Sequence, residues 1–212
     1  MDFFLKENNN FTPFSVQHAI VALFCIFFGF ALIFITKKQT QKVQSIIGNI
    51  LAFSICFTVI LGTFVHLYKG NFNTQEDLPL HLCSFLALVI PVLSVTKKFV
   101  YYEIFFFLIL AGTLQSLITP DEYNYLNFPF FRYWFVHAGL VIFMFFATFI
   151  YKMRPTLRSV GKSFLGMQAY MLFMFVLNYF LGSNYFFTNR KPDAATALDL
   201  FGDWPQYIFV VE

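Results

Sequence analysis

The stretch FSVQHAIVALFCIFFGFALIFITKK, Phe14 to Lys38, decides the class of fold. Between His18 and the Lys37–Lys38 pair it carries no charged side chain, and its apolar residues cover every face of a helix. A helix of ~20 such residues crosses the hydrocarbon core of a bilayer. It is too long for the apolar core of a signal peptide, and no small-residue cleavage site follows, so it reads as a genuine span.

Five more runs repeat the pattern. The expected spans are 14–35, 46–67, 78–95, 99–119, 130–151 and 164–182, and a seventh starts near Trp204 and is cut off at Glu212. The expected fold is therefore all-α: a single polytopic transmembrane helical bundle over residues 1–212, with six full spans and the start of a seventh. Composition agrees, with 58% apolar and only 12% charged residues and a mean hydropathy of +0.67. A net charge of +3, with the basic residues scattered between apolar runs, excludes a nucleic-acid partner. Cys25, Cys56 and Cys83 all fall inside apolar runs and lack the spacing of a zinc site or a disulfide framework.

Charge sets the expected orientation. The connectors after spans one, three and five hold Lys37, Lys38, Lys42, Lys97, Lys98, Lys152, Arg154, Arg158 and Lys162, nine of the 14 basic residues, and no acidic one. Asp2, Glu7, Glu76, Asp77, Asp121, Glu122, Asp193, Asp199 and Asp203 occupy the N-terminus and the other connectors. Cytoplasmic connectors are enriched in Lys and Arg, so the N-terminus is expected outside.

With that topology His18, His66, His81 and His137, on four different spans, fall in the outer half of the bilayer. Ionisable residues within a membrane are costly and face a bundle interior or a wet cavity, which predicts a shared outer pocket. At span ends, interfacial placement is the simpler reading for His18 and His66. Gly112, Gln115, Ser116 and Thr119 follow helical spacing and predict a polar stripe on span four. Cys25, Cys56, Ala22 and Gly29 read as helix-packing positions.

Span three opens Glu76-Asp77-Leu78-Pro79-Leu80-His81-Leu82-Cys83. Acids followed by proline make a good helix start, which places Pro79 in the first turn and Cys83 about one turn in. The positive end of the helix dipole favours a thiolate there, while apolar burial opposes it. His81 is about 200° around the helix from Cys83, so a base for that thiol must come from another span. His137 lies at matching depth in span five. A Cys–His pair is the minimum for thiol nucleophilic catalysis, although a buried cysteine is ordinarily a small hydrophobe.

Leu78-Pro79-Leu80-His81-Leu82-Cys83, Trp134-Phe135-Val136-His137, and Asn178-Tyr179 followed by Gly182, Asn184-Tyr185 and Lys191-Pro192 resemble the YwaF-type family of bacterial membrane proteins, which is related to animal transmembrane protein 164. The resemblance covers nearly the whole chain. It implies a multi-pass protein of the bacterial cytoplasmic membrane. The animal relatives resemble phospholipid acyltransferases with a cysteine nucleophile and a histidine base, which carries over to Cys83 and His137. The resemblance also points to a similar fold in membrane hydrolases of lipid esters, in which threonine replaces the cysteine. The expected function is thus a lipid acyltransferase or lipid-ester hydrolase, with a membrane phospholipid or other acyl ester as partner and no cofactor. Gln115, Arg132, Asn178, Asn184, Tyr185 and His81 are the candidate substrate-binding residues. Gln115, Asn178 or Asn184 would donate to an oxyanion, and Arg132 would hold a phosphate or simply snorkel to the interface.

The alternative is a small-solute transporter or lipid-binding membrane module. Transporters show repeated halves and helices broken at the midplane; here Pro91 alone interrupts a span, and the polar residues are not central. A metal site is disfavoured because no histidine pair has i, i+3 or i+4 spacing.

Overall fold

A computed structural model of the chain describes residues 11–120, 127–191 and 200–211. The acidic residues Asp2, Glu7, Asp121, Glu122, Asp193 and Asp199, and Pro192 of the Lys191-Pro192 motif, lie outside that set. The described residues form an all-helical bundle without strands. In chain order the helices are α1 (Val16–Lys37), α2 (Gln41–Tyr68), α3 (Leu82–Thr96), α4 (Phe99–Leu108), α5 (Leu114–Ile118), α6 (Phe128–Phe149), α7 (Leu157–Leu181) and α8 (Gln206–Val211). A π-helical turn, Ile109–Thr113, joins α4 to α5, so these three pieces make one continuous span.

Helix starts follow local capping chemistry. Ser15 accepts from the His18 amide at the head of α1, and Thr40 does the same for Val43 at the head of α2. Asn127 accepts from Phe130 at the head of α6. Thr156 and Ser159 form a reciprocal capping box, which starts α7 at Leu157, well before the expected 164. Gly182, at φ +64°, ends α7 in the left-handed conformation.

Among the described residues, five helices are long and apolar enough to cross a bilayer. The third run departs from the expected six full spans. Its helix has 15 residues, about 22 Å at 1.5 Å per residue, against a hydrocarbon core of ~30 Å. Residues 78–81, expected in its first turn, are not helical, and Pro79 lies outside the helix. Side chains from α7 and from the segment that follows it satisfy this backbone. The Tyr170 hydroxyl donates to the Leu80 carbonyl, and the Leu78 amide donates to the Tyr185 hydroxyl at 3.0 Å. Irregular backbone is tolerated inside a membrane protein where other parts of the protein satisfy its polar groups.

The core gathers around α6. Of its apolar window 61% is buried, against 11% for α1, so α6 is the hub and α1 a peripheral helix. Ala52, Ile55 and Val59 of α2, Leu86, Ile90 and Leu93 of α3, Tyr102 and Phe105 of α4, and Val136, Leu140 and Phe143 of α6 form the main cluster. Gly139 lets α6 close on α2, since a methyl group there would meet Ile55 at 2.9 Å. Phe24, Phe27, Phe30 and Phe34 of α1 point outward, as expected of a lipid-facing helix.

Successive helices alternate in direction, which divides the bundle into two polar ends. One end, here the lysine end, joins Lys97 to Ser45 and Lys162 to Glu103. The other, the histidine end, holds His18, His66 and His81, while His137 lies further along, at the tenth residue of α6. At the histidine end His18 meets Leu117, His66 pairs with Asp77 at 3.2 Å, and His81 packs on Tyr185.

Candidate functional site

At the histidine end α3 starts late, after the non-helical 78–81 segment, so Cys83 is its second residue, nearer the helix start than the spacing had placed it. The N-cap, His81, provides no side-chain cap to the first-turn amides. Those amides and the dipole they carry are the most electropositive backbone of the helix. Cys83 Sγ lies 3.6 Å from Thr113 Oγ1, on the π turn. Gly112 on the same turn lies close to the start of α3, since a methyl group there would sit 3.1 Å from Leu82 Cδ2.

The π turn also repositions span four. An extra residue in one turn rotates all that follows. Thr113, not part of the expected stripe, becomes fully buried. Gln115, expected to face the pocket, is exposed. Ser116 and Thr119 hydroxyls fold back onto the carbonyls of Gly112 and Gln115. The stripe read from α-helical spacing therefore does not form as one inward face.

His137 lies on α6, whose neighbours include both α3 and the π turn. Its Nδ1 is 2.7 Å from the Tyr133 carbonyl oxygen, and its ring lies 4.2 Å from the Tyr133 ring. A carbonyl only accepts, so Nδ1 carries the hydrogen, and in neutral imidazole Nε2 is left with its lone pair. Arg132, one turn earlier, packs into the space above Gly62 of α2, where an added methyl would lie 2.3 Å from Nε.

The His81 ring faces the segment after α7. Its centroid is 5.3 Å from Tyr185 and 5.1 Å from Phe187. This segment forms a cap, and Asn178 holds it. Asn178 Nδ2 donates to the Tyr185 carbonyl and to Thr188 Oγ1, both at 2.8 Å. Its Oδ1 accepts from Ser183 Oγ at 2.6 Å and from the Tyr185 amide at 2.9 Å. Both hydrogens and both lone pairs of the amide are used, so in this arrangement Asn178 has no donor to offer an oxyanion. Asn184 is similarly occupied within the cap. It donates to the Arg190 carbonyl at 2.9 Å and accepts from the Asn189 and Arg190 amides. Tyr185, fully buried, ties the cap to the 74–78 loop by donating to the Thr74 carbonyl and accepting from Leu78. Phe186 and Phe187 have φ of 59° and 52°, a costly conformation for bulky residues held in place by these bonds.

His18 corrects another expectation. It is buried, not interfacial, among Phe11, Phe14 and Trp134. Its Nδ1 accepts from the Phe14 amide and its Nε2 donates to the Leu117 carbonyl, each at 2.9 Å. It thereby pins α1 to α5. His66 is half-exposed beside Asp77, as a span-end histidine should be. Cys25 packs beside Phe130 and Trp134, and Cys56 points at the Leu88 carbonyl.

Sequence reasoning overlooked two residues. Thr113 was hidden by the π turn, although Gly112-Thr113 in an otherwise large-residue run marks a place for close approach. Glu103 is an acidic residue inside an apolar run; it is buried at the lysine end and accepts from Ser159 Oγ at 3.1 Å and from Lys162. Among the described residues no group of three or more His, Cys, Asp or Glu side chains comes together as a metal site.

No curated protein and no solved structure is significantly similar to the chain. A family model does match, over residues 13–212, which spans every helix and every candidate residue above: the chain belongs to the TMEM164 family.

Proposed function

We propose that this membrane protein is a lipid acyltransferase, or lipid-ester hydrolase, that works through a thioester on Cys83. Family membership supports the class of reaction, together with the resemblance carried by the Leu78–Cys83 and Trp134–His137 motifs. The observation that carries it is the orientation of His137. With Nδ1–H committed to the Tyr133 carbonyl, Nε2 is the free basic nitrogen, the arrangement a general base requires.

In the first half-reaction Cys83 Sγ attacks the carbonyl carbon of a lipid ester. The thiol proton passes to His137 Nε2 and then to the departing alcohol oxygen, which leaves as a lysolipid and an acyl-thioester. In the second, His137 takes the proton of an acceptor hydroxyl, whose oxygen attacks the thioester. The thiolate leaves, regains a proton, and the acyl group ends on the acceptor. Water as acceptor gives hydrolysis. The first-turn amides of α3 and the Arg132 guanidinium are the donors for oxyanion and headgroup phosphate, in place of Asn178. His81, Tyr185 and Asn184 contribute through the cap. The protein belongs, on this reading, in a bacterial cytoplasmic membrane with the histidine end facing out.

The test is chemical. Purified protein given a phospholipid with a labelled acyl chain should carry that chain on Cys83, in hydroxylamine-sensitive linkage. Cys83→Ala should abolish labelling and transfer, and His137→Ala should slow acylation by about 10²–10⁴-fold while the protein still folds. Full transfer by Cys83→Ala would refute the mechanism. A lipid-binding module would bind lipid normally and never become acylated.

A further inference from the structure

Hydroxyl groups in membrane helices ordinarily bond back to their own helix. Ser54, Thr58, Thr63, Thr96, Ser116, Thr119 and Thr148 all donate to the carbonyl four residues earlier. Thr113 does not. It stands at the end of the π turn Ile109–Thr113, where the i−4 carbonyl is no longer in register, and it is fully buried. Its hydroxyl instead meets Cys83 Sγ at 3.6 Å. The close approach of Gly112 to Leu82 brings the turn against the start of α3 independently of that contact. A π turn costs helix hydrogen-bond geometry and recurs at functional sites. Here it turns a hydroxyl away from its own helix and onto a sulfur.

We propose that Thr113 is a positioning residue for the Cys83 nucleophile: the π turn frees its hydroxyl to donate to Sγ, holding the sulfur in place and stabilising it in the thiolate form. This rests on the acyl-transfer reading of Cys83. Thr113 keeps its own proton throughout; the thiol proton goes to His137, and the hydroxyl hydrogen bond holds the charge left on sulfur. A hydrogen bond to a charged atom is among the stronger ones a protein makes. Losing it corresponds to about a ten- to hundred-fold loss of thiolate population, partly offset by the greater nucleophilicity of the more basic thiolate that remains.

The test needs no lipid substrate. Full-length protein in nanodiscs is treated at fixed pH with N-ethylmaleimide, and alkylation of each cysteine is followed by peptide mass spectrometry. Thr113→Val, which keeps the shape and removes the hydroxyl, should slow Cys83 alkylation about three- to ten-fold. Thr113→Ser should restore it, a rescue that a purely packing role would not give. Thr113→Ala, which cannot crowd the sulfur, should be as slow as the valine variant. Cys25 and Cys56 should react at unchanged rates in all three, reporting an intact bundle. An unchanged Cys83 rate in Thr113→Val, or a serine variant as slow as valine, overturns the proposal. The two readings fail separately. Thr113-dependent alkylation without any acyl-thioester removes the acyl-transfer mechanism and keeps the positioning contact. Cys83-dependent transfer with alkylation indifferent to Thr113 does the reverse.

Discussion

Replacing Asn178 by leucine separates a structural from a catalytic role at the end of α7. The two side chains are close in size, so the change deletes hydrogen bonds without opening a cavity. Four bonds are lost. The Ser183 and Thr188 hydroxyls can turn to other partners, but the Tyr185 amide and carbonyl cannot, and Tyr185 is fully buried. Two stranded backbone groups at roughly 1–3 kcal/mol each make a cost of about 2–6 kcal/mol. The cap, already holding two bulky residues at positive φ, should open locally before the whole bundle yields. Even the lower figure, ~2 kcal/mol, makes the open form about 30 times more populated. Hydrogen exchange followed by mass spectrometry in nanodiscs should therefore show peptides over residues 183–188 exchanging about 30-fold faster or more, with α6 peptides around Phe143 unchanged. Asn178→Asp keeps the oxygen that the Tyr185 amide and Ser183 use, and should fall between the two. Unchanged protection of residues 183–188 in Asn178→Leu would refute the clamp. Loss of acyl transfer with the cap still protected would return Asn178 to the oxyanion.

Gly62→Ala should force the Arg132 guanidinium out of its seat, raising KM for an anionic lipid more than it lowers kcat and costing about 1–3 kcal/mol of stability by overpacking; Gly161→Ala, with nothing within 4 Å of the new methyl, is the neutral control in the same thermal and kinetic assays. Lys162→Met strands the buried Glu103 carboxylate and should lower Tm in detergent, with Glu103→Gln in the same chain recovering part of the loss; a double variant no better than Lys162→Met would show that the pair does not couple. Cysteines introduced at Lys38 or Arg158 should resist an impermeant thiol reagent in intact cells while one at Asn71 reacts, and the opposite pattern would put the histidine end in the cytoplasm.

Hydropathy and charge made the bundle legible because both are local and additive. A run such as Phe14 to Lys38 has no other stable destination than a bilayer, and a helix there satisfies its own backbone. The alternation of runs and short connectors then dictates antiparallel neighbours, and that alone brings His18, His66 and His81 to one end. Cys83 and His137 were proposed from residue type and from counting along the chain, and that pairing remains the proposal tested above. Tertiary structure decided what counting cannot reach. The true start of α3 depends on hydroxyls 90 and 107 residues away, from Tyr170 and Tyr185, taking over the backbone of residues 78–80. The saturation of Asn178 depends on a cap folding back over it, and the burial of His18 on a carbonyl 99 residues distant. The π turn belongs to the same class. Its extra residue breaks the periodicity on which the polar stripe of span four was read, exposing Gln115 and delivering Thr113 to the cysteine, because the helix register after the turn is set by packing against α3 and α6 and not by the sequence spacing within it.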